Sequence, residues 1–596
     1  MAERGTWHGR MTRRTAFRGA AVGAAGLTGA ALIGCDSGGP RTEPAKTSAT
    51  PDNQKPQRGG IFRTAVVSAP DHFDILSATA ASTCQAGVWA YSTLHQWTAG
   101  DGQFATGKME GDLVKQWEQP DELHYVLKLR DGVTWDKRAP TSGRALDAND
   151  VVLSWQKFEK KGRYRADVAN SVTGAGSIKA IKKIDDRTLG IELAFPDVIA
   201  LPALSWQNNF FVYPKESMSG GFDPLREMRG TGPFTLKENR PGVGYSFERN
   251  PNWHGAQGPW FDGVDVTVIS DPAQWEAQFR AGNIHEGIGS TANIPIVARE
   301  VKDSKIVTAP PPGVGGTISL NWIPNAPFHD IRVRRAISMS IDRNAILDVY
   351  HTPAAYKPLG IKLNNYWFNP VSPAYGEFWL DPLSSKFGPA AKYLSYDVAE
   401  ARKLLGAAGY NDSKPLEYDV IEHPTSRENR AELLQAMWAK AGIKTNITPA
   451  DYNSEWQKYV SAGRGYTKWK TGRPVVLLKG NSPNPDVLHW LTRFLASDGS
   501  LSVTGDEFPE LSKMIFAARG VSKWEDRVQR VHDIQRYAVE QMVAPPYHAM
   551  TEATEIYQKG VRGPERYQRW LGFENYGAVA SVIAPYYWLD ETLRKK

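Results

Sequence analysis

The sequence predicts an α/β fold built from more than one structural unit. Segments with the two-residue alternation of strands and segments with the spacing of buried helical residues interleave along the chain, without an internal repeat. The length of 596 residues exceeds what one hydrophobic core usually supports, so two or three units are expected. A hydrophobic fraction of 41% and a charged fraction of 23% are typical of a folded protein.

The predicted strands are short runs of alternating apolar residues bounded by turn residues. Residues 61–67 follow Gly59-Gly60 and form the first strand. Residues 125–129 end at the turn Asp131-Gly132, and residues 188–193 form a further strand.

The predicted helices are marked by aspartates at their first turns. Such a side chain accepts hydrogen bonds from N–H groups that have no partner inside the helix. The capping positions are Asp147 with Asp150, Asp271 before Pro272, Asp330, and Asp397 with Glu400. Behind them we expect buried faces of Val151, Val152, Trp155 and Phe158, of Val333, Ile337 and Ile341, and of Leu404 and Leu405. Leu433, Met437 and Ala441 mark one more helix.

The N-terminus has the three parts of an export signal. A basic stretch ends at Arg13-Arg14, and an apolar run of 16 residues, 19–34, is too short to span a bilayer as a helix. The sequence Leu32-Ile33-Gly34-Cys35 matches the lipobox of bacterial lipoproteins, in which the cysteine is acylated after cleavage. Residues 1–34 are therefore predicted to be a signal, and residues 35–58 to be a lipidated Cys35 and a flexible tether.

The signal resembles one of the twin-arginine type, which exports folded proteins. Thr12-Arg13-Arg14 and Phe17-Arg18 carry the likeness, although the apolar residue comes one place late, so the general secretory route stays open. Either route places the protein outside the cytoplasm, anchored to the cell membrane by lipid.

The charge distribution excludes a nucleic-acid binder. The formal net charge is +7, and the signal carries five arginines and one acid, which leaves +3 on the other 562 residues. A nucleic-acid-binding domain would keep a basic face after processing. Of the two cysteines, Cys35 is assigned to the lipid and Cys84 to the core.

No motif predicts catalysis or metal binding. The chain has no HExxH, no GxSxG and no cysteine pair at metal-ligand spacing. We therefore expect no catalytic residue, metal or cofactor. A secreted hydrolase that uses a carboxylate pair is the alternative from another class, because Asp and Glu are plentiful.

Several blocks of the chain, taken in order, resemble family 5 of the bacterial extracellular solute-binding proteins, the oligopeptide- and dipeptide-binding group of ABC importers. The blocks are Arg58-Gly59-Gly60 with Phe73-Asp74-Ile75, residues 111–118 with 125–133 and 150–152, Gly230-Thr231-Gly232-Pro233-Phe234 with 249–253, residues 320–321 with 327–343, and residues 396–410. Arg332, Arg334 and Arg335 fall in the fourth block, where we expect them on the solvated face of a helix.

The resemblance implies a two-lobed periplasmic-binding-protein-like fold of type II that closes on its ligand. Lobe I would comprise residues 59–318, with an extra subdomain near 90–200, and residues 540–596. Lobe II would comprise residues 319–539. The chain would cross between the lobes near 317–321 and 545–547. The implied partners are a small polar ligand and an ABC transporter permease, and the protein would be a monomer; a sensor without an importer is the alternative.

One departure from the family pattern bears on the ligand. Peptide-binding members carry an aspartate that pairs with the free α-amine of the peptide, and Asn481 stands in its place, with Leu478 in place of a tryptophan. A neutral amide cannot compensate a buried ammonium. A peptide-like ligand and a glycan-like ligand both stay open.

The candidate ligand-binding residues are polar or aromatic side chains near the expected cleft. The 20 tryptophans of the chain would either line such a cleft or fill the core. The candidates are Asn481, Ser482, Asn321, Trp322, Trp89 and Tyr91.

Overall fold

The computed structural model describes most of the chain beyond the tether. The described residues are 55–77, 81–97, 109–206, 209–287, 291–309, 311, 316–422, 430–450, 474–480, 486–564 and 587–594. They belong to one compact unit, Pro44–Lys596. The predicted signal, Cys35 and most of the tether lie outside the described residues.

Strands and helices alternate along the chain, as the α/β prediction requires. The strands are β1 (Ile61–Val66), β2 (His95–Trp97), β3 (Met109–Gly111), β4 (Val114–Asp121), β5 (His124–Leu129), β6 (Ile178–Asp185), β7 (Thr188–Leu193), β8 (Phe234–Arg240), β9 (Gly244–Arg249), β10 (Gly263–Val268), β11 (Lys305–Ala309), β12 (Gly316–Leu320), β13 (Asn365–Trp367), β14 (Leu416–Glu422), β15 (Ile443–Pro449), β16 (Val475–Gly480), β17 (Ala549–Thr551), β18 (Ala553–Tyr557), β19 (Val561–Arg562) and β20 (Trp588–Leu589). The α-helices are α1 (Ala81–Gly87), α2 (Ala148–Lys161), α3 (Ala200–Leu204), α4 (Pro272–Arg280), α5 (Ile294–Glu300), α6 (Ile331–Met339), α7 (Arg343–Tyr350), α8 (Val398–Ala407), α9 (Arg430–Lys440), α10 (Val487–Leu495), α11 (Pro509–Arg519), α12 (Trp524–Glu540) and α13 (Glu591–Arg594).

The first sheet is assembled around β1, the first predicted strand. β1 runs parallel to β10, and β9 and β8 continue the sheet in antiparallel order. At the other edge of β1, the N–H of His285 donates to the carbonyl of Arg63 at 2.8 Å, and the N–H of Gly287 donates to Ile556 in β18 at 2.9 Å. Strand β18, from the C-terminal part of the chain, therefore lies beside elements from the first half of the chain.

The second sheet lies in the segment predicted to be an extra subdomain. β4, β5, β7 and β6 form an antiparallel sheet in that order, which includes the predicted strands at 125–129 and 188–193. Leu127 and Leu189, which pair across β5 and β7, are both fully buried.

The third sheet belongs to the second half of the chain. β14 runs parallel to β15 and β16, and β12 joins the edge of β16 in antiparallel orientation. On one face of this sheet the ring of Tyr418 lies 5.5 Å from that of Trp438 in α9 and 5.7 Å from that of Phe328. Helix α9 therefore buries Leu434, Met437 and Trp438, whereas the predicted Leu433 is only half-buried.

The predicted helix caps are confirmed. The Asp147 side chain accepts from the N–H of Asp150, and the Asp150 side chain accepts from the N–H of Asp147, which completes a capping box. Single caps start the other helices: Asp271 accepts from Gln274, Asp330 from Arg332, and Asp397 from Glu400. Helix α6 ends at Met339, so Ile341 is buried just beyond it rather than within it.

The prediction that Arg334 lies on a solvated helix face is wrong. Arg334 is 4% exposed, and its guanidinium donates to the carbonyls of Phe328 at 2.7 Å and Gln541 at 2.8 Å. Arg335 donates to the carbonyl of Glu540 at 2.7 Å. The two arginines satisfy carbonyls at the end of α12 that have no partner inside that helix, which is the physical reason for the burial.

One large apolar core connects the three four-stranded sheets. It contains Phe62 and Val264 of the first sheet, Leu127 of the second, and Leu320 and Val420 of the third. Cys84, predicted to be a core residue, is buried in this cluster, and burial raises the pKa of its thiol to about 12. Within the described ranges, no helix is long and apolar enough to cross a membrane.

Candidate functional site

Trp89 and Tyr91 lie in the core beside the first sheet. The ring of Trp89 packs edge-on against that of Phe234 at 5.6 Å. Tyr91 stacks on Tyr213 at 4.0 Å, and its hydroxyl accepts from the N–H of Arg229 at 3.2 Å. Both side chains are buried among protein atoms, and their predicted contact with a ligand stays a prediction.

Asn321 and Trp322 lie where β12 ends, in the third sheet. The Oδ1 atom of Asn321 accepts from the N–H of Val475 at 3.0 Å, and its buried Nδ2 atom has no hydrogen-bond partner within the described ranges. The indole N–H of Trp322 donates to the carbonyl of Val503 at 2.9 Å, and its ring packs edge-on against Phe508. Asn321 thus keeps an available donor, whereas the donor of Trp322 is already used.

The other candidates lie outside the described residues. Asn481 and Ser482 follow directly on β16, whose last residue, Gly480, pairs with Gly316 at the start of β12. The chain therefore brings β16 to the expected crossing between lobes just before these two positions.

Two chain segments run side by side at that expected crossing. The N–H of Ile318 donates to the carbonyl of Pro545 at 2.9 Å, and the N–H of Tyr547 donates to that of Gly316 at 3.1 Å. Only a glycine permits this close approach without a shift, because a Cβ atom at position 316 would lie 2.5 Å from the ring of Tyr547. The buried guanidinium of Arg343 also donates to the carbonyl of Pro546, and burial lowers the pKa of Arg343 to about 9.

A buried polar cluster, which we call the junction, links the subdomain segment to helix α10. The Nε atom of Arg493 donates to the Oδ2 atom of Asp167 at 2.6 Å, and the side chains of both residues are fully buried. Ser500 donates its N–H to the Oδ1 atom of Asp167 at 2.9 Å and its hydroxyl to Oδ2 at 2.7 Å. Arg493 also donates to the Oδ1 atom of Asn209 at 3.2 Å.

Aromatic rings enclose the charged pair of the junction. The guanidinium of Arg493 lies 4.1 Å from the ring centres of both Tyr164 and Trp206. Trp206 also packs edge-on against His489 at 5.7 Å. A guanidinium placed over aromatic faces in a site shielded from water is favourable, so these rings stabilise the cation of the pair.

A second ion pair of the same kind lies beside the junction. Arg519 donates to both carboxylate oxygens of Asp197, and its Nη1 atom donates to the carbonyl of Ala175 at 2.7 Å. Its own carbonyl accepts from the N–H of Val198 at 2.9 Å. In both pairs the acid comes from the subdomain segment and the arginine from the helices after residue 486.

Burial keeps His489 neutral within this environment. Desolvation lowers the pKa of His489 well below its usual value, and the nearby guanidinium groups of Arg493 and Arg519 lower it further. Asp486 caps α10 by accepting from Leu488 and His489, while burial raises the pKa of its carboxyl group.

Sequence reasoning missed the junction completely. Asp167 and Arg493 are separated by 326 positions, and neither occurs in a motif or at a capping position. Among the residues that the structure describes, no group of three or more His, Cys, Asp or Glu side chains could hold a metal ion.

Comparison with known proteins links this architecture to one family. Residues 108–487 match the sequence model described as "Bacterial extracellular solute-binding proteins, family 5 Middle". Heme-binding protein A of Haemophilus influenzae is 25% identical over 448 residues, which cover 71% of this chain and 75% of that protein. The dipeptide-binding protein of Escherichia coli is 24% identical over 418 residues, which cover 66% of this chain and 72% of that protein.

A solved structure extends the likeness in fold to nearly the whole chain. The periplasmic binding protein DppA from Helicobacter pylori, in complex with the peptide STSA, superposes with a TM-score of 0.70 at 19% identity. The likeness covers 90% of this chain and 99% of that one. The fold is accordingly the two-lobed α/β fold of periplasmic binding proteins, as predicted from the sequence.

Proposed function

Because the chain belongs to family 5 of the bacterial extracellular solute-binding proteins, we propose that it captures a small polar solute between its lobes and delivers it to an ABC transporter permease. The match over residues 108–487, within a two-lobed fold, is the observation that carries this proposal. Closure would follow from the difference in affinity of the ligand for the open and closed forms.

We place the lobe limits where the sequence suggested them, at 59–318 with 540–596 for lobe I and 319–539 for lobe II. The contacts between Ile318 and Pro545 and between Gly316 and Tyr547 support the two crossings. The hydrogen bond between Gly287 and Ile556 supports the return of the C-terminal segment to lobe I. The extra subdomain near 90–200 would carry the second sheet.

We propose a peptide-like ligand without a free α-amine, and a glycan-like ligand as the alternative. Asn481 supports this because an amide cannot neutralise an ammonium group. Relatives named for heme and for dipeptides indicate that family members differ in ligand. Of the described candidates, Asn321 has the best case for ligand contact because its Nδ2 donor is buried without a partner in the described ranges.

Mass spectrometry of ligand released from the purified, denatured protein tests both the function and the ligand class. We expect a polar solute in near-stoichiometric amount, without a free α-amine. Recovery of free-amine peptides would contradict the interpretation of Asn481. The absence of saturable binding to any peptide or glycan fraction would contradict the transport function.

We further propose that the protein acts without turnover, as a monomer. A secreted hydrolase would convert the same candidate peptides and glycosides into products, whereas a binding protein returns them unchanged. Incubation followed by chromatography distinguishes the two functions.

The proposed location is the outer face of the cell membrane, through a lipid on Cys35. Replacement Cys35→Ala should move the protein from the membrane fraction to the soluble extracytoplasmic fraction, and labelling with a radioactive fatty acid should be lost. Retention of the label in the variant would exclude Cys35 as the lipid site. Replacement of both Arg13 and Arg14 by lysine should block export only if the twin-arginine route is used.

A further inference from the structure

Two buried ion pairs join the two proposed lobes directly. Asp167 and Asp197 lie in the subdomain assigned to lobe I, and Arg493 and Arg519 lie in helices α10 and α11 of lobe II. All four side chains are at most 1% exposed. These contacts are separate from the chain crossings near 317 and 546.

Protein groups satisfy both carboxylates of the pairs, whereas the buried Nη1 atom of Arg493 has no hydrogen-bond partner within the described ranges. Each oxygen of Asp167 accepts a hydrogen bond from Ser500, and one also accepts from Arg493. Each oxygen of Asp197 accepts from Arg519. The contact therefore depends on residues of both lobes and needs no ligand atom to complete its ion pairing.

The surroundings make single charges unfavourable there. Arg519 lies 5.1 Å from the ring centre of Phe195 and 5.2 Å from that of Phe516, and Arg493 lies against Tyr164 and Trp206. In such an environment an ion pair is tolerated because its charges compensate each other, whereas a single remaining charge is strongly unfavourable. Opening of the lobes would expose the charges to water and so remove this constraint.

We propose that Asp167–Arg493 and Asp197–Arg519 act as a charge latch that holds the lobes closed before any ligand binds. The ligand would then enter during transient opening and would not have to supply all of the free energy of closure. This inference rests on the proposed function and on the proposed lobe limits. The two ion pairs would set the open–closed equilibrium of the ligand-free protein.

Distances between spin labels on the two sides test the latch. Lys182 in β6 and Lys513 in α11 have side chains that are 69% and 75% exposed, and cysteines at these positions can be labelled in a background that carries both Cys35→Ala and Cys84→Ser. In the ligand-stripped protein we expect one short distance. Asp197→Asn combined with Asp167→Asn should add a population at longer distance and increase the radius of gyration.

Variants that remove one charge or both charges of a pair distinguish a latch from general destabilisation of the fold. Asp197→Asn alone leaves Arg519 unpaired in the closed form, so it should favour the open form. Asp197→Asn combined with Arg519→Met leaves no charge and should restore the short distance. Asp303→Asn, which removes an exposed pair with Lys559, should leave the distances unchanged.

Circular dichroism and the melting temperature show whether each variant is folded. Unchanged distances in folded variants that lack both aspartates would overturn the latch, as would a predominantly long distance in the unsubstituted ligand-stripped protein. Neither result would affect ligand recovery by mass spectrometry, so failure of the latch and failure of the proposed function are distinguishable.

Discussion

Asp197 and Arg519 are separated by 322 positions in the chain, yet their side chains form a fully buried ion pair with two hydrogen bonds. The carbonyl of Arg519 also accepts from the N–H of Val198, so main chain and side chain meet at the same contact. The pair fixes the end of α11 against the segment that follows β7.

Loss of one partner of this pair should destabilise the folded protein strongly. We expect Asp197→Ala to lower the free energy of unfolding of the closed form by about 3–5 kcal/mol, because it leaves a buried guanidinium without a carboxylate; opening that exposes Arg519 to water would make the measured loss smaller. Denaturant titration followed by tryptophan fluorescence measures the change.

An exposed ion pair provides the matched control. Lys559 and Asp303 are both more than 60% exposed, so solvent screens their attraction and Asp303→Ala should cost far less stability than Asp197→Ala. If Asp197→Ala and Asp303→Ala lowered the free energy of unfolding equally, burial of the pair between Asp197 and Arg519 would contribute nothing to stability.

Glu286 and Glu555 should make the stability of the protein fall as the pH rises. Burial raises the pKa of Glu286 to about 7, and burial together with the negative charge of Glu286 raises that of Glu555 to about 8. The folded protein therefore binds protons more tightly than the unfolded chain, whose glutamates titrate near 4.5. The contribution of these groups to stability is greatest below pH 4.5 and is lost as the pH rises to about 8.

Glu286→Gln and Glu555→Gln should remove part of this dependence. Relative to the unsubstituted protein, each variant should have a higher melting temperature at pH 8 and little change at pH 5. Glu417→Gln, at a side chain that is 53% exposed, is the control and should keep the pH dependence of the melting temperature of the unsubstituted protein. Stabilisation by the glutamine substitutions, relative to the unsubstituted protein, that is larger at pH 5 than at pH 8 would contradict the assigned direction of the pKa shifts.

Local sequence signals predicted the elements of the fold better than the contacts of the site. The cap of Asp147 with Asp150 depends on residues three positions apart, and the alternation at 188–193 lies within a single strand, so both are visible in the sequence. The family blocks added the two-lobed arrangement. The partners Asp167 and Arg493 become neighbours only after the chain has folded, and no periodicity signals such a pair.

The aromatic candidates show a related ambiguity. Trp89 and Trp322 are large apolar side chains, and composition does not distinguish a ring that lines a cleft from a ring that fills a core. The structure packs both rings against phenylalanines, through the same hydrophobic effect that would bind an organic ligand.

Gly316→Ala should destabilise the proposed crossing between the lobes. The new Cβ atom would lie 2.5 Å from the ring of Tyr547, so either the ring or the strand must move, at a cost of about 1–3 kcal/mol. Gly406→Ala is the control, because no atom lies within 4 Å of its Cβ position in helix α8. That substitution should stabilise the protein by up to about 1 kcal/mol. Similar destabilisation by both substitutions would exclude crowding by Tyr547 as the cause.

Arg334 and Arg332 allow a comparison within one helix that tests how much the buried contacts of Arg334 stabilise the fold. Arg334 donates to the carbonyls of Phe328 and Gln541 from a buried position, so Arg334→Ala leaves buried carbonyls without donors. We expect a loss of about 2–3 kcal/mol in the free energy of unfolding. Arg332 pairs with Asp330 and has a side chain that is 45% exposed, so Arg332→Ala should cost clearly less stability than Arg334→Ala.

Arg334→Lys separates the geometry of the contacts from the charge. Lysine keeps the positive charge but lacks the planar group that reaches both carbonyls at once, so most of the loss should persist. If Arg334→Lys instead restored full stability, the favourable interaction would be that of a cation with the C-terminal end of α12, and the hydrogen bonds to Phe328 and Gln541 would contribute little.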